Sequence, residues 1–105
     1  MKGNKTKTDR LIQVWAKTKG ICAHCGNRSL GRGRTIDHYI PRSQDGGFDL
    51  RNLMPLCRKC NEARGSQPID PFEFYSYAPK EYIFQCIKYE KEFTSKRRNM
   101  NGDIF

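Results

Sequence analysis

TIDHYIPRSQDGGFDLRNLMPLCRKCNEARG, Thr35 to Gly65, decides the fold of this chain together with the shorter run ICAHCG, Ile21 to Gly26, upstream of it. Each run carries a Cys-x-x-Cys pair: Cys22 with Cys25, and Cys57 with Cys60. Thiolates two residues apart on a tight turn reach one ion together, and two such pairs complete a tetrahedral zinc site. The 31 residues between the pairs exceed a usual zinc ribbon, so something is mounted on the clip. Thr35 to Ile40 reads as a short strand from its β-branched and aromatic content, ended by Pro41. Alternation puts Ile36 and His38 on one face and Asp37 and Tyr39 on the other, so a twist or bulge near Asp37 is needed to bring both polar residues to one site. Asp45-Gly46-Gly47 is a reversal signal, and Leu53 to Leu56 then reads as a second strand, antiparallel to the first and marked as edge or bulged by Pro55. The second Cys pair opens a helix to about Arg64, stopped by Gly65, with Asn61 and Arg64 on one face.

Outward from this core, residues 1 to 7 (MKGNKTK) form a basic arm that either touches a phosphate backbone or is a solvated tail. Thr8 or Asp9 caps a helix to about Lys19, stopped by Gly20, with Leu11, Val14, Trp15 and Thr18 at helical spacing and Ile12 widening the stripe. Trp15 is read as a core anchor over the zinc turn, with base stacking as the other option. His24 could be a further ligand, but four thiolates already complete the shell, so it is read as a solvent-facing residue of the turn. Arg28, Arg32 and Arg34, interleaved with Gly31 and Gly33, form a basic segment that either suits phosphates or is a charged loop. Residues 66 to 79 contain Pro68, Pro71 and Pro79 with Phe72, Phe74, Tyr75 and Tyr77, and read as an extended wrap laying aromatics on the core. A second long helix follows from Lys80 to about Lys96, with Tyr82, Cys86, Tyr89 and Phe93 as its stripe and Ile83 and Ile87 beside them. Cys86 is therefore a buried small hydrophobe. Lys96, Arg97 and Arg98 make a basic patch, and the chain frays from Asn99 to Phe105.

The chain has 105 residues, one domain by length, with the core at 20 to 65. So small a unit buries a modest core, and a metal often supplies the missing stability. Five cysteines without a secretory leader point to a reducing, cytoplasmic setting, and no run approaches the ~18 apolar residues of a membrane span. The formal charge is +9. Four zinc-bound thiolates subtract four and the ion returns two, leaving +7. That excess suits a polyanion, most economically nucleic acid, although ribosome-associated and membrane-surface proteins share it.

Taken together, Asp37-His38, the Ile-Pro behind it, the Gly-Gly loop, Asn52-Leu53 before the second strand and Cys57-x-x-Cys60-Asn61 resemble the HNH endonuclease family in its zinc-braced ββα-metal form. The likeness covers roughly residues 20 to 65. It implies a small α+β fold, a β-hairpin and short helix braced by structural zinc and flanked by an N-terminal and a C-terminal helix. By the same likeness His38 is the general base, Asp37 and Asn61 hold a catalytic Mg²⁺ or Mn²⁺, and Asn52 holds the loop. Many relatives carry His where Asn61 stands, and an amide oxygen is the harder ligand, favouring Mg²⁺. Arg64, or one of Arg28, Arg32 and Arg34, would meet the transition-state charge and contact DNA.

The implied activity is hydrolysis of DNA, most simply double-stranded, to 5′-phosphate and 3′-hydroxyl ends, as a nickase of low sequence specificity. A double-strand break would need a homodimer or an accessory protein. Phage packaging, restriction, homing and defence are all compatible settings. The competing class is a zinc-clipped nucleic-acid-binding module without catalysis.

Overall fold

Two strands and a short helix form the centre of the structure, a computed structural model that describes the backbone of residues 7–100 and the side chains of residues 8–96. Strand β1 (Arg34–His38) pairs antiparallel with β2 (Leu53–Cys57) in straight register, Arg34 opposite Cys57 and His38 opposite Leu53. Helix α2 (Arg58–Arg64) follows β2 without a linker, and Gly65 ends it at φ +59°, a left-handed value that costs glycine little. This is the small α+β hairpin-and-helix arrangement expected of the sequence, set beside a four-cysteine cluster that could hold zinc.

The first cysteine pair sits on a turn closed by an isolated bridge between Ile21 and Arg28. The N–H of Ala23 donates to the carbonyl of Pro55 at 2.8 Å and fastens this turn to β2. Pro55 is tolerated because a two-stranded ribbon has only edges, so its missing N–H breaks no inner ladder. The loop between the strands doubles back tightly. A Cβ on Gly46 would sit 1.7 Å from the Ile40 carbonyl oxygen, so only glycine fits there.

Helix α1 (Lys7–Ala16) lays Val14 and Trp15 on the ribbon, and the Trp15 indole N–H donates to the Thr35 carbonyl at 2.8 Å. It stops at Ala16 rather than near Lys19: the N–H groups of Lys17, Thr18 and Lys19 donate three residues back in tight turns, and Lys19 then turns the chain at φ +56°. Ile12 does not widen the buried stripe; it is 61% exposed. Helix α4 (Lys80–Met100) packs Ile83 and Cys86 into the core and reaches Met100, past the expected end at Lys96. Further along α4, the Tyr39 hydroxyl donates to Glu90 at 2.7 Å, and the Tyr89 hydroxyl accepts from the Gly47 N–H at 3.0 Å. The helix thus buttresses the inter-strand loop.

The segment expected to be an extended wrap contains a helical turn, α3 (Pro71–Phe74), with Asp70 accepting from the Phe72 N–H as its cap. Tyr75 is fully buried and Phe74 packs on the core, whereas Phe72 and Tyr77 remain 43% and 55% exposed. Residues 1–6 of the expected basic arm, the side chains of Arg97 and Arg98, and the expected frayed end at 101–105 lie outside the described residues.

Candidate active site and metal centre

The four thiols converge. One ligand sulfur each from Cys22, Cys25, Cys57 and Cys60 lies within 4.8 Å of the others. A tetrahedral site with Zn–S bonds of about 2.3 Å sets sulfurs about 3.8 Å apart, so the donor set fits one zinc ion. Without a cation the cluster is electrostatically crowded. Burial would raise the Cys22 thiol, but backbone hydrogen bonds from Cys25, Cys57 and His24 outweigh it and hold Cys22 below the ordinary value. Burial pushes Cys25 up, and burial with the neighbouring Cys57 and Cys22 does the same to Cys60. A dication answers both effects. His24 is not a member: its ring stacks on Phe74 at 4.1 Å, and Nδ1 donates to the Phe74 carbonyl at 2.7 Å.

A cleft of about 280 Å³ lies at the end of the ribbon, lined by Asp37, His38, Arg42, Ser43, Asn61 and Ser66 among others. It brings together three of the residues singled out above although β1 carries no bulge: Asp37 stays opposite Met54 and His38 opposite Leu53. The two side chains leave opposite faces as alternation requires, and His38 reaches the same cleft because it is the last ladder residue.

Each polar group there has its own partners. Asn61 spends its amide N–H groups on the Thr35 hydroxyl (2.8 Å) and the Ile36 carbonyl (3.2 Å), which leaves Oδ1 to accept or to ligate. Asp37 is 4% exposed, and its Oδ2 accepts from Arg64 Nη1 and from the Tyr75 hydroxyl, both at 2.6 Å. Burial pushes the Asp37 carboxyl up while Arg64 and Tyr75 pull against it. His38 packs edge-on against Phe48 at 5.0 Å, and its Nε2 is buried without a hydrogen-bond partner. Burial first, then the charges of Arg42, Arg10 and Arg64, hold its pKa below the ordinary imidazole value. Asn52 is fully buried and clasps the loop, accepting from the Ile40 N–H (2.8 Å) and donating to the Ile40 and Gly47 carbonyls (3.1 and 3.0 Å).

The four arginines considered for phosphate contact separate. Arg28 and Arg34 converge over Gly20, where a Cβ would lie 3.0 Å from a terminal nitrogen of each. Arg32 is exposed on the 3₁₀ turn Gly31–Gly33. Arg64 departs from expectation: it is 4% exposed and its guanidinium bonds Asp37, Tyr75 and the carbonyls of His38, Tyr39 and Gln67, so it is an internal brace and not a surface contact.

Sequence reasoning gave no role at the site to Arg42, which lines the cleft, to Tyr75, which bonds Asp37, or to Arg10 and Phe48, which act on His38. Arg42 sits directly behind the Ile-Pro pair and carried a local signal. Arg10, 28 residues before His38, carried none.

Residues 22–67 match the family model described as HNH endonuclease. A 48-residue stretch, 45% of this chain, is 35% identical to the CRISPR-associated endonuclease Cas9 of Corynebacterium diphtheriae. The chain spans about 4% of the length of that relative.

Proposed function

We propose that the chain is a metal-dependent DNA endonuclease with His38 as general base, a reading supported by the match of residues 22–67 to the HNH endonuclease family model and by the likeness to an endonuclease. The observation that carries the reading is that His38, whose buried Nε2 has no hydrogen-bond partner, lines one cleft together with Asp37 and Asn61. A buried polar atom without a partner is costly in a structural role and useful in a catalytic one.

His38 is neutral at physiological pH because burial and three arginines disfavour its charged form. The neutral imidazole lines the cleft, and its cleft-facing edge can take the proton of a water attacking phosphorus; the departing 3′ oxygen takes a proton from solvent, which leaves 5′-phosphate and 3′-hydroxyl ends. Asp37 and Asn61 present a carboxylate and an amide oxygen, a hard donor pair suited to one Mg²⁺ or Mn²⁺. When bound, such an ion supplies positive charge against the phosphate and leaving-group oxygens. Arg64 and Tyr75 orient the carboxylate, Thr35 orients the amide, and Asn52 holds the loop that carries Phe48 against the imidazole. Zinc on the four cysteines braces the frame and takes no part in the chemistry. Arg28, Arg32 and Arg34 supply phosphate contacts on the duplex. One cleft cuts one strand, so the chain nicks unless a second copy or an accessory protein joins it.

Incubation with supercoiled plasmid and Mg²⁺ or Mn²⁺ tests this. Open circles should form, prime a polymerase from their 3′-hydroxyls, and vanish with His38→Ala. Zinc-loaded protein that leaves plasmid intact with both ions would refute the enzyme.

A non-catalytic nucleic-acid-binding module draws on a separate observation, the Oδ2 of Asp37 already engaged by two donors. Under that reading Asn61→Ala leaves Mn²⁺ affinity unchanged; under ours it weakens it.

A further inference from the structure

A groove of about 500 Å³ opens on the other side of His38, between α1 and the inter-strand loop. Three arginines line it, Arg10, Arg34 and Arg42, and among the described residues lining it there is no carboxylate. Phe48, 51% exposed, lines the groove with them. The Arg42 and Arg10 guanidiniums lie over its ring at 5.2 and 5.8 Å, the imidazole of His38 meets it edge-on, and Arg10 also donates to the Phe48 carbonyl. Arg34 is held by stacking on Trp15 at 4.9 Å and by donating to the Ser29 carbonyl at 2.6 Å.

The Arg10 and Arg42 guanidiniums sit against one ring and repel one another, and an exposed aromatic ring gains nothing from facing water. The cation–π contacts answer both costs, since one ring face offers negative charge to each cation. What the arrangement still lacks is an anion. A backbone phosphate supplies it, because a planar guanidinium fork matches phosphate oxygens and the groove shares His38 with the reaction cleft.

We infer that Arg10 and Arg42, held apart and aimed by Phe48, clamp the DNA phosphate that flanks the scissile one, so that α1 forms part of the substrate site. This rests on reading the cleft as a phosphodiester site. It places a substrate contact outside residues 22–67, the segment the family model covers. Phe48 is a positioning residue here, acting through the two arginines.

Fluorescence anisotropy of a short labelled DNA duplex, with Ca²⁺ as the only added divalent ion, tests the clamp without cleavage. Arg10→Ala and Arg42→Ala should each reduce the slope of log affinity against log salt by about 1, as loss of one phosphate contact does. Phe48→Leu removes no charge, yet it should weaken binding about tenfold and flatten the same slope. Phe48→Tyr should restore both. Lys88→Ala, an exposed cation outside the groove, is the control. A scan of single methylphosphonates should find the wild type sensitive next to the cleavage position and Arg10→Ala indifferent there.

If the arginine variants behave like the control, or Phe48→Leu binds like wild type while retaining its circular dichroism, the clamp is wrong. Plasmid nicking by the wild type is scored separately. Cutting with an inert clamp sinks this inference alone, and an active clamp without cutting sinks the hydrolase alone.

Discussion

Arg64 Nη1 lies 2.6 Å from Asp37 Oδ2, with the two side chains 1% and 4% exposed. The pair joins the last turn of α2 to β1, and the Tyr75 hydroxyl closes it from the segment after α3. Three elements far apart in sequence are thus locked at the carboxylate proposed as a metal ligand. Taking two charges out of water is expensive, so the pair serves orientation more than net stability.

Removing one partner strands the other. Arg64→Ala should destabilise the fold by roughly 3–5 kcal/mol, the range for a broken buried ion pair. Arg64→Lys should recover little, because a single ammonium cannot reach Asp37 and the carbonyls of His38, Tyr39 and Gln67 together. Urea titration of the three proteins checks this. An Arg64→Lys variant as stable as wild type would show that the fork geometry is irrelevant.

Asn52 offers a second test of orientation. Its amide spans Ile40 and Gly47, and only an amide both accepts from the Ile40 N–H and donates to two carbonyls. Asn52→Asp is nearly the same shape but sets a carboxylate against carbonyl oxygens. It should cost about 2–4 kcal/mol and exceed the loss in Asn52→Ser. Hydrogen exchange should localise the change to the inter-strand loop, with the Gly47 amide losing protection first.

How much of this was legible beforehand follows from the range of each interaction. The thiol pairs, the Gly-Gly reversal and the stop at Gly65 depend on neighbours within a few residues, and sequence spacing reports them directly. The opposite facing of Asp37 and His38 was readable from alternation; that no bulge is needed was not, because the cleft forms where the ladder ends. Arg64 read as a surface cation since its partners Asp37 and Tyr75 lie 27 and 11 residues away. Ile12 read as core from periodicity, but the packing surface under α1 is only wide enough for Leu11, Val14 and Trp15.

Lys17 was equally unforeseen and gives a pH prediction. It is 6% exposed, and its ammonium donates to the carbonyls of Leu50 and Leu53 at 2.7 and 2.6 Å. Burial lowers its pKa from 10.5 to about 8, against weaker upward pulls from Cys86 and Asp49. Between those values the unfolded chain holds a proton that the folded one has shed, so stability rises with pH there. Relative to Lys17→Met, wild type should gain up to roughly 3 kcal/mol from pH 8 to 10.5 and nothing below pH 7. A difference that stays flat across that interval would mean water reaches the ammonium.

Zinc removal separates brace from chemistry. Structural zinc contributes about 10 kcal/mol or more to folding in small zinc-finger units, whereas a singly held Mg²⁺ or Mn²⁺ contributes far less. Cys57→Ala should therefore yield protein without zinc and without a cooperative unfolding transition. Asp37→Ala should keep one zinc per chain by mass spectrometry. It leaves Arg64 unpaired in the interior, however, so its loss of nicking proves little unless folding is restored. Pairing it with Arg64→Met removes both buried charges and should return most of the stability. If that double variant is folded and zinc-loaded yet nicks plasmid at the wild-type rate, Asp37 holds no catalytic ion and the carboxylate belongs to the frame alone.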